Sequence, residues 1–358
     1  MANSRWVLRV GFGWRVTAMA AWIAAVGVAS QASDAVGVAA TEPTPVGREL
    51  IVDGERRTFR ATPRPPVIRV ATWNVDLWRR GNEGHDGYRR GQKAEDFRKW
   101  FEQMDADVVL LQEVAADAGW NRNRLLGEAL DGLPGRWKHV VFELDEIAPS
   151  RQRTGVAWRS DRVTLMNGPV GWRWPVAKGV VESTGDTAWR RTPHAMHFSA
   201  GPGLTDFLVI NTHMRSNWGG DHQDQRTDET RELLAAMGTM RRMLDGERDI
   251  VVYGRLFEEH REASTGLYET RGFRDLNPDD KPTLMYSVRD PAARDFSGGW
   301  ANCRAFVPAD QPEFAQSTFG VWGTDALGAM GLTPHRHHAT VSDYLPAYFE
   351  LRIMPDDD

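Results

Sequence analysis

The chain has 358 residues, 41% hydrophobic and 26% charged, with 15 tryptophans, enough apolar surface for one large core or two modest ones, which excludes disorder for most of its length. Its 34 glycines and 19 prolines are scattered rather than periodic, ruling out collagen-like and low-complexity architectures. A net charge of −5 argues against passive binding to nucleic acid or anionic lipid without a local basic patch or a metal ion.

In chain order, Arg5, Arg9 and Arg15 precede an apolar run from Val16 to Val28 that ends in Ala29-Ser30-Gln31-Ala32. That is the layout of a secretory signal peptide over residues 1–32, an uncleaved anchor being the alternative. No second apolar stretch of about 18 residues follows, so the expectation is export to a secreted or periplasmic location, without stable membrane insertion after cleavage. Cleavage removes three arginines and leaves the mature chain more acidic. Residues 33–66, rich in Ala, Thr, Pro and Arg and closing in Thr62-Pro63-Arg64-Pro65-Pro66, read as a linker or leader. The folded domain is expected over 67–352, with an acidic tail at 353–358.

Within the domain, Val67 to Val75 has the β-branched density of a buried strand. Phe97, Trp100, Phe101 and Met104 recur at i, i+3, i+4, i+7, one face of a helix, and Asp107 to Val114 returns as a strand with a carboxylate near its end. Further strands read at 140–142, 155–158, 206–211 and 250–253. A long helix lies between the last two, with Leu233, Leu234, Met237, Met240 and Leu244 on its apolar face and Asp228, Glu229, Arg231, Glu232, Arg241 and Arg242 on a solvated one. The pattern is sheets covered by helices. The only cysteine, Cys303, excludes an internal disulfide and reads as a small core residue, since no His-Asn setting accompanies it as a nucleophile.

Strand after strand ends in polar residues: Asn74 and Asp76, Glu113, Asn211 and His213, then the loop after Tyr253. A sheet that fixes side chains at its edge while loops stay free to bind is how a site is built. Trp73-Asn74-Val75-Asp76, Leu111-Gln112-Glu113 and Asn211-Thr212-His213, in this order and at these separations, resemble the endonuclease/exonuclease/phosphatase superfamily of deoxyribonuclease I-like nucleases, sphingomyelinases and phosphatases. The resemblance spans about Val67 to Leu351. It implies an α+β fold, a four-layered α/β sandwich in which two packed mixed β-sheets are flanked by helices, and hydrolysis of phosphoesters with Mg²⁺, or Mn²⁺ or Ca²⁺, as cofactor.

By that resemblance Glu113 is the metal ligand, Asn74 and Asp76 orient phosphate and metal, and His213 bonds the phosphoryl oxygen or protonates the leaving group. Arg191 and Asn211 occupy phosphate-binding positions. The departures fall on the chemistry. Where the superfamily has Gly-Asp-x-Asn, with a base and an oxyanion donor, this chain reads Gly254-Arg255-Leu256-Phe257; neither Arg nor Phe accepts a proton or coordinates a cation. Ser-Asp-His becomes Ser342-Asp343-Tyr344, keeping Asp343 and losing the imidazole. Arg-x-Asp finds its best match in Arg304-Ala305-Phe306, which places Phe306 where the orienting Asp belongs.

Each such loss costs about 10² to 10⁴ in rate, and groups acting as a unit do not add. The expectation is a phosphodiesterase scaffold, inactive or severely impaired, that retains a cleft for a phosphoester-containing ligand such as nucleic acid, a phospholipid headgroup or a small phosphodiester. The alternative is an active enzyme using substitute carboxylates such as Glu258, Glu259 or Asp310. Among lesser signals, His335-Arg336-His337-His338 reads as a solvated loop rather than a zinc site, for want of ligand spacing. Trp172, Trp174 and Trp189 read as core cover or as an aromatic rim over a cleft.

Overall fold

The computed structural model describes residues 48–52, 55–59, 66–77, 92–115, 122–142, 153–166, 191, 193–216, 222–244, 246–257, 260, 262–285 and 299–356. The expected signal segment, Trp172, Trp174, Trp189, Glu258 and Glu259 lie outside them. The chain divides into two compact units, Met1–Pro63 and Arg64–Asp358. In the first, β1 (Arg48–Val52) pairs antiparallel with β2 (Glu55–Phe59). The hairpin falls inside the segment read as a leader, and its sequence signal is the Asp53-Gly54 pair between two β-prone runs.

The second unit holds two six-stranded sheets. The first has the order β13-β14-β3-β4-β6-β5, built from β3 (Val67–Leu77), β4 (Val108–Val114), β5 (Trp137–Val141), β6 (Arg153–Arg159), β13 (Gly320–Val321) and β14 (Ala347–Arg352). The second has the order β11-β12-β10-β9-β8-β7, from β7 (Thr164–Leu165), β8 (His194–Ser199), β9 (Asp206–His213), β10 (Ile250–Arg255), β11 (Phe273–Asp275) and β12 (Cys303–Pro308). Each is mixed, with one parallel pair, β3 with β4 and β9 with β10, among antiparallel neighbours.

Strand alternation sorts the side chains into three apolar layers. Ile68, Val70, Val108, Leu110, Phe207, Val209, Tyr253 and Phe349 fill the space between the sheets. Trp73, Val75, Val109 and Leu111 leave the first sheet by its other face and meet α1 (Ala94–Met104) and α2 (Arg124–Asp131). Trp73 lies against the rings of Phe97, Trp100 and Phe101 at centroid distances of 5.4, 5.7 and 6.2 Å, the apolar stripe read from the sequence. Each such side chain, fully buried, contributes about 1.5–3 kcal/mol. On the far side of the second sheet, Leu208, Ile210, Val252 and Phe306 pack against α3 (Gln223–Met243) and α4 (Ala263–Glu269). Helices, sheet, sheet, helices make the four expected layers.

Three local readings change. Glu229 of α3 is fully buried rather than solvated, and its carboxylate accepts from the Arg215 amide at 3.2 Å. The His335–His338 run is not a loop but part of α6 (Pro334–Thr340), which follows the short α5 (Thr324–Ala329); Thr333 caps α6 by accepting from the Arg336 amide, and Pro334 occupies its first turn. The start of the expected tail is held by backbone pairing, Ile353 N to Pro66 O and Thr205 N to Met354 O. Among the described residues no helix is long and apolar enough to cross a membrane.

Candidate active site

The site lies where β3, β4, β9 and β10 end together. Register slips where β3 and β4 run out, between Asn74 and Leu77 and between Gln112 and Val114. Asp76 (φ 47°) and Glu113 (φ 56°) adopt left-handed backbone there, as does Phe257 (φ 60°) after β10. Non-glycine residues pay for this conformation in strain, and its concentration at three strand ends marks a place where side-chain aim outweighs local comfort. Gly254, φ 143°, is obligatory: a Cβ there would lie 2.3 Å from the Thr212 carbonyl oxygen of the adjacent strand.

Beneath the cleft the two sheets are clamped. Asn211 donates from Nδ2 to the carbonyls of Leu111 (3.1 Å) and Gly155 (2.9 Å), while its Oδ1 accepts from Gln112 Nε2 (2.9 Å), which also reaches Thr72 Oγ1. Asn211 is fully buried and spends its amide on the protein, so it holds the sheets together instead of contacting phosphate. The sequence reading had no signal for Gln112 as its partner.

The decisive geometry is at Arg255. The residue is 7% exposed, and its guanidinium donates from Nη1 to Glu113 Oε1 at 2.5 Å and from Nη2 to the Tyr344 hydroxyl. Its Cζ lies 4.1 Å from the centroids of both the Phe257 and Tyr344 rings. The three residues that replace base, oxyanion donor and imidazole therefore form one unit, a cation between two aromatic faces, bonded to the carboxylate expected to hold the metal. Burial pulls the Arg255 pKa down, and the Glu113 carboxylate opposes it.

His213 is buried beside this unit. Its ring stacks on Phe257 at 6.0 Å and 18°, Nε2 lies 3.7 Å from Glu113 Oε1, and neither ring nitrogen has a hydrogen-bond partner among the described residues. Burial first, then the charges of Arg191 and Arg255, push its pKa well below the usual 6.5, so it is neutral near pH 7. Arg191 is half-buried and donates from Nη1 to the Met214 carbonyl at 3.1 Å. Asn74 Oδ1 accepts from the Asp76 amide at 3.1 Å, and its Nδ2 has no partner among the described residues.

The Ser342-Asp343-Tyr344 segment is pinned to the end of β3. Ser342 Oγ donates to the Asn74 carbonyl at 2.5 Å and accepts from the Tyr344 amide at 3.0 Å. The Tyr344 carbonyl accepts from Trp73 Nε1 (3.0 Å) and from His337 Nε2 (3.3 Å), while His337 Nδ1 accepts from Trp100. Asp343 Oδ1 is 2.5 Å from His338 Nδ1. His337 and His338 thus brace the site, a role the loop reading missed and the Thr333-Pro334 cap signal could have suggested.

The structure does not bring Phe306 to the cleft. It is fully buried on the helix side of β12, stacked on Tyr268 at 4.1 Å, while Arg304 points the same way to Asp275 and Asp280. The β12 residue that faces the cleft is Cys303, paired in register with Arg255; burial raises its thiol to about 11, with Arg255 pulling the other way. Asp310 pairs with Arg248 at 2.7 Å, beyond the opposite end of β10 from Arg255, so it does not reach the cleft.

A hard cation needs several oxygen ligands free to turn toward it. Here the Glu113 carboxylate is engaged by a buried guanidinium, and a divalent ion beside Arg255 would meet like charge in a poorly solvated setting. The residues present do not fit a resident Mg²⁺.

The fold of the second unit is similar to that of several solved structures. One from Bacteroides vulgatus, described as an endonuclease/exonuclease/phosphatase, superposes with a TM-score of 0.53 at 16% identity, covering 80% of this chain and 99% of that one. The chain has the endonuclease/exonuclease/phosphatase fold. A mannosyl-6-phosphatase of Bacteroides thetaiotaomicron shares it with a TM-score of 0.51 at 13% identity over 80% and 99% of the two chains, as does a truncated TDP2 of Caenorhabditis elegans at 0.50, 16%, 80% and 98%. No family model and no curated protein matches the sequence. At these identities the likeness is one of fold, so the reading of the cleft rests on its own residues.

Proposed function

We propose that this protein is an exported, non-hydrolytic phosphoester-binding scaffold: an endonuclease/exonuclease/phosphatase fold in which an internal cation has taken the place of the metal. The observation that carries the reading is the Arg255 guanidinium, 2.5 Å from Glu113 and held between Phe257 and Tyr344. It neutralises the carboxylate that would otherwise recruit a divalent ion, and it puts a guanidinium, which accepts no proton, where the resemblance places the base. His213, neutral and unbonded, remains a short-range partner for a phosphoryl oxygen, and half-buried Arg191 beside it supplies positive charge for the same group.

The test compares hydrolysis of an aryl phosphodiester and of plasmid DNA, with Mg²⁺ or with chelator, by the protein and by a variant carrying Arg255→Asp, Phe257→Asn, Cys303→Asp and Tyr344→His. Cys303 is chosen because Phe306→Asp would bury a carboxylate under α4. The parent is expected to be silent, to bind no Mg²⁺ by calorimetry, and, expressed with its leader, to be recovered from the exported fraction with an intact mass starting near Ser33. The variant is expected to gain Mg²⁺ binding and Mg²⁺-dependent turnover. Turnover by the parent with Mg²⁺ would overturn the reading and make Glu258 and Glu259 the next residues to substitute.

A further inference from the structure

At the opposite end of the second sheet, three side chains from three segments converge. His197 of β8, Asp206 at the start of β9 and Glu247 in the turn before β10 place one imidazole nitrogen and two carboxylate oxygens all within 4.8 Å of one another. Asp206 opens β9 and His213 closes it, so at roughly 3.3 Å per residue the two sites stand roughly 23 Å apart. Nothing in the proposed phosphoester cleft uses this cluster.

Its spacing is informative. His197 Nε2 is 3.3 Å from Asp206 Oδ2 and 3.2 Å from Glu247 Oε2. Charge-assisted hydrogen bonds close to about 2.7–2.9 Å. Ligand atoms that share a tetrahedral ion at bonds of about 2.0–2.2 Å stand about 3.3–3.5 Å from each other, nearly the separation seen. The donors are also fixed. Glu247 Oε1 accepts from the Asp249 amide at 2.6 Å, which aims Oε2 at the imidazole, and His197 rides on a strand paired along its length with β9. The His197 and Glu247 side chains are 9% and 2% exposed and that of Asp206 20%, so access is from the Asp206 side.

We propose that His197 Nε2, Asp206 Oδ2 and Glu247 Oε2 form a binding site for a divalent transition metal of the zinc class, tying β8, the start of β9 and the turn before β10 together. One nitrogen and two carboxylates suit Zn²⁺ or Co²⁺, whereas Mg²⁺ takes oxygen ligands and keeps its waters. A buried carboxylate, Glu247, facing a partly exposed one, Asp206, calls for a cation between them. Without metal the imidazolium supplies it: burial lowers the His197 pKa, but the hydrogen bonds and charges of Asp206 and Glu247 outweigh burial and raise it to about 9. The metal replaces that proton, and the site needs neither Glu113 nor turnover.

Chelator-treated full-length protein would be titrated with ZnCl₂ by calorimetry and with CoCl₂ by visible absorption, beside His197→Gln, Glu247→Gln and Asp206→Asn, each checked for folding by circular dichroism. The expected result is one high-affinity equivalent of Zn²⁺, a Co²⁺ spectrum of tetrahedral intensity, no competition from millimolar Mg²⁺, and a loss of more than about tenfold in affinity in every folded variant. Asp206→Asn, at the most exposed position, keeps the test decisive if the buried variants fail to fold. Zinc binding that is absent, or unchanged in Asp206→Asn because His335 or His338 captures the ion, would overturn the proposal. Glu113→Gln, which creates no new ligand in the cleft, is expected to leave this affinity unchanged, which separates the inference from the reading of the cleft.

Discussion

Arg255 and Arg304 sit on neighbouring strands, one residue out of register, and leave the second sheet by opposite faces. Both are buried, yet their surroundings differ. Arg304, toward the helices, donates from Nη1 to Asp275 Oδ2 (2.5 Å) and the Asn277 carbonyl (2.6 Å) and from Nη2 to Asp280. Arg255, toward the cleft, has one carboxylate, a tyrosine hydroxyl and two ring faces, and its Nε has no partner among the described residues. A guanidinium that serves the fold is surrounded by acceptors placed for it. Arg255 is met by a single carboxylate, on a strand-end residue held in left-handed backbone, and by a tyrosine hydroxyl, and that difference marks where structure ends and the cleft begins.

The comparison breaks most visibly at Arg304. Replacing it by Met leaves Asp275 buried and Asp280 half-exposed without their cation, at an expected cost of about 3–5 kcal/mol in urea denaturation. A cost below about 1 kcal/mol would mean that the two arginines are equivalent surface-like charges. Arg255→Met is expected to cost less, about 1–3 kcal/mol, because the Glu113 side chain, 11% exposed, can reach water when its partner goes. Adding Glu113→Gln to Arg255→Met should recover part of that loss. A double-mutant cycle with no coupling between the two positions would show that the ion pair does not organise the cleft.

Much of the fold was readable because burial on both faces of a strand, or along one stripe of a helix, leaves a strong pattern: Val67 to Val75, Val108 to Val114 and the Phe97-Trp100-Phe101-Met104 face all form as expected. The gathering of Asn74, Asp76, Glu113 and His213 at strand ends was readable because each closes an apolar, β-branched run. The site was not readable where the answer depends on parity. On β12 a shift of one residue exchanges the cleft and helix faces, so the Arg304-Ala305-Phe306 match points to Phe306 while the strand presents Cys303. Nor does composition reveal that a polar group is buried. Glu229 and His337 look like solvent-facing residues until the backbone groups and rings that receive them are in place.

The smallest effect, and the one that reads the cleft's electrostatics directly, concerns His213. Burial, Arg191 and Arg255 all hold its folded-state pKa below the value of 6.5 that it regains on unfolding. The native state therefore binds fewer protons than the unfolded chain once pH falls below about 6.5, and stability declines in that range; above it both states carry a neutral ring and the contribution vanishes. In the NMR spectrum the His213 imidazole is expected to stay in its neutral form as the pH falls through 6.5. In Arg255→Met, which removes one of the two cations, its titration should move upward and the acid-side loss of stability should lessen. Arg304→Met, on the other face of the sheet, should leave it where it is. An ordinary titration of His213 near 6.5 in the parent protein would mean that water and counter-charge reach the ring, and that Arg255 is not the enclosed cation its neighbours make it.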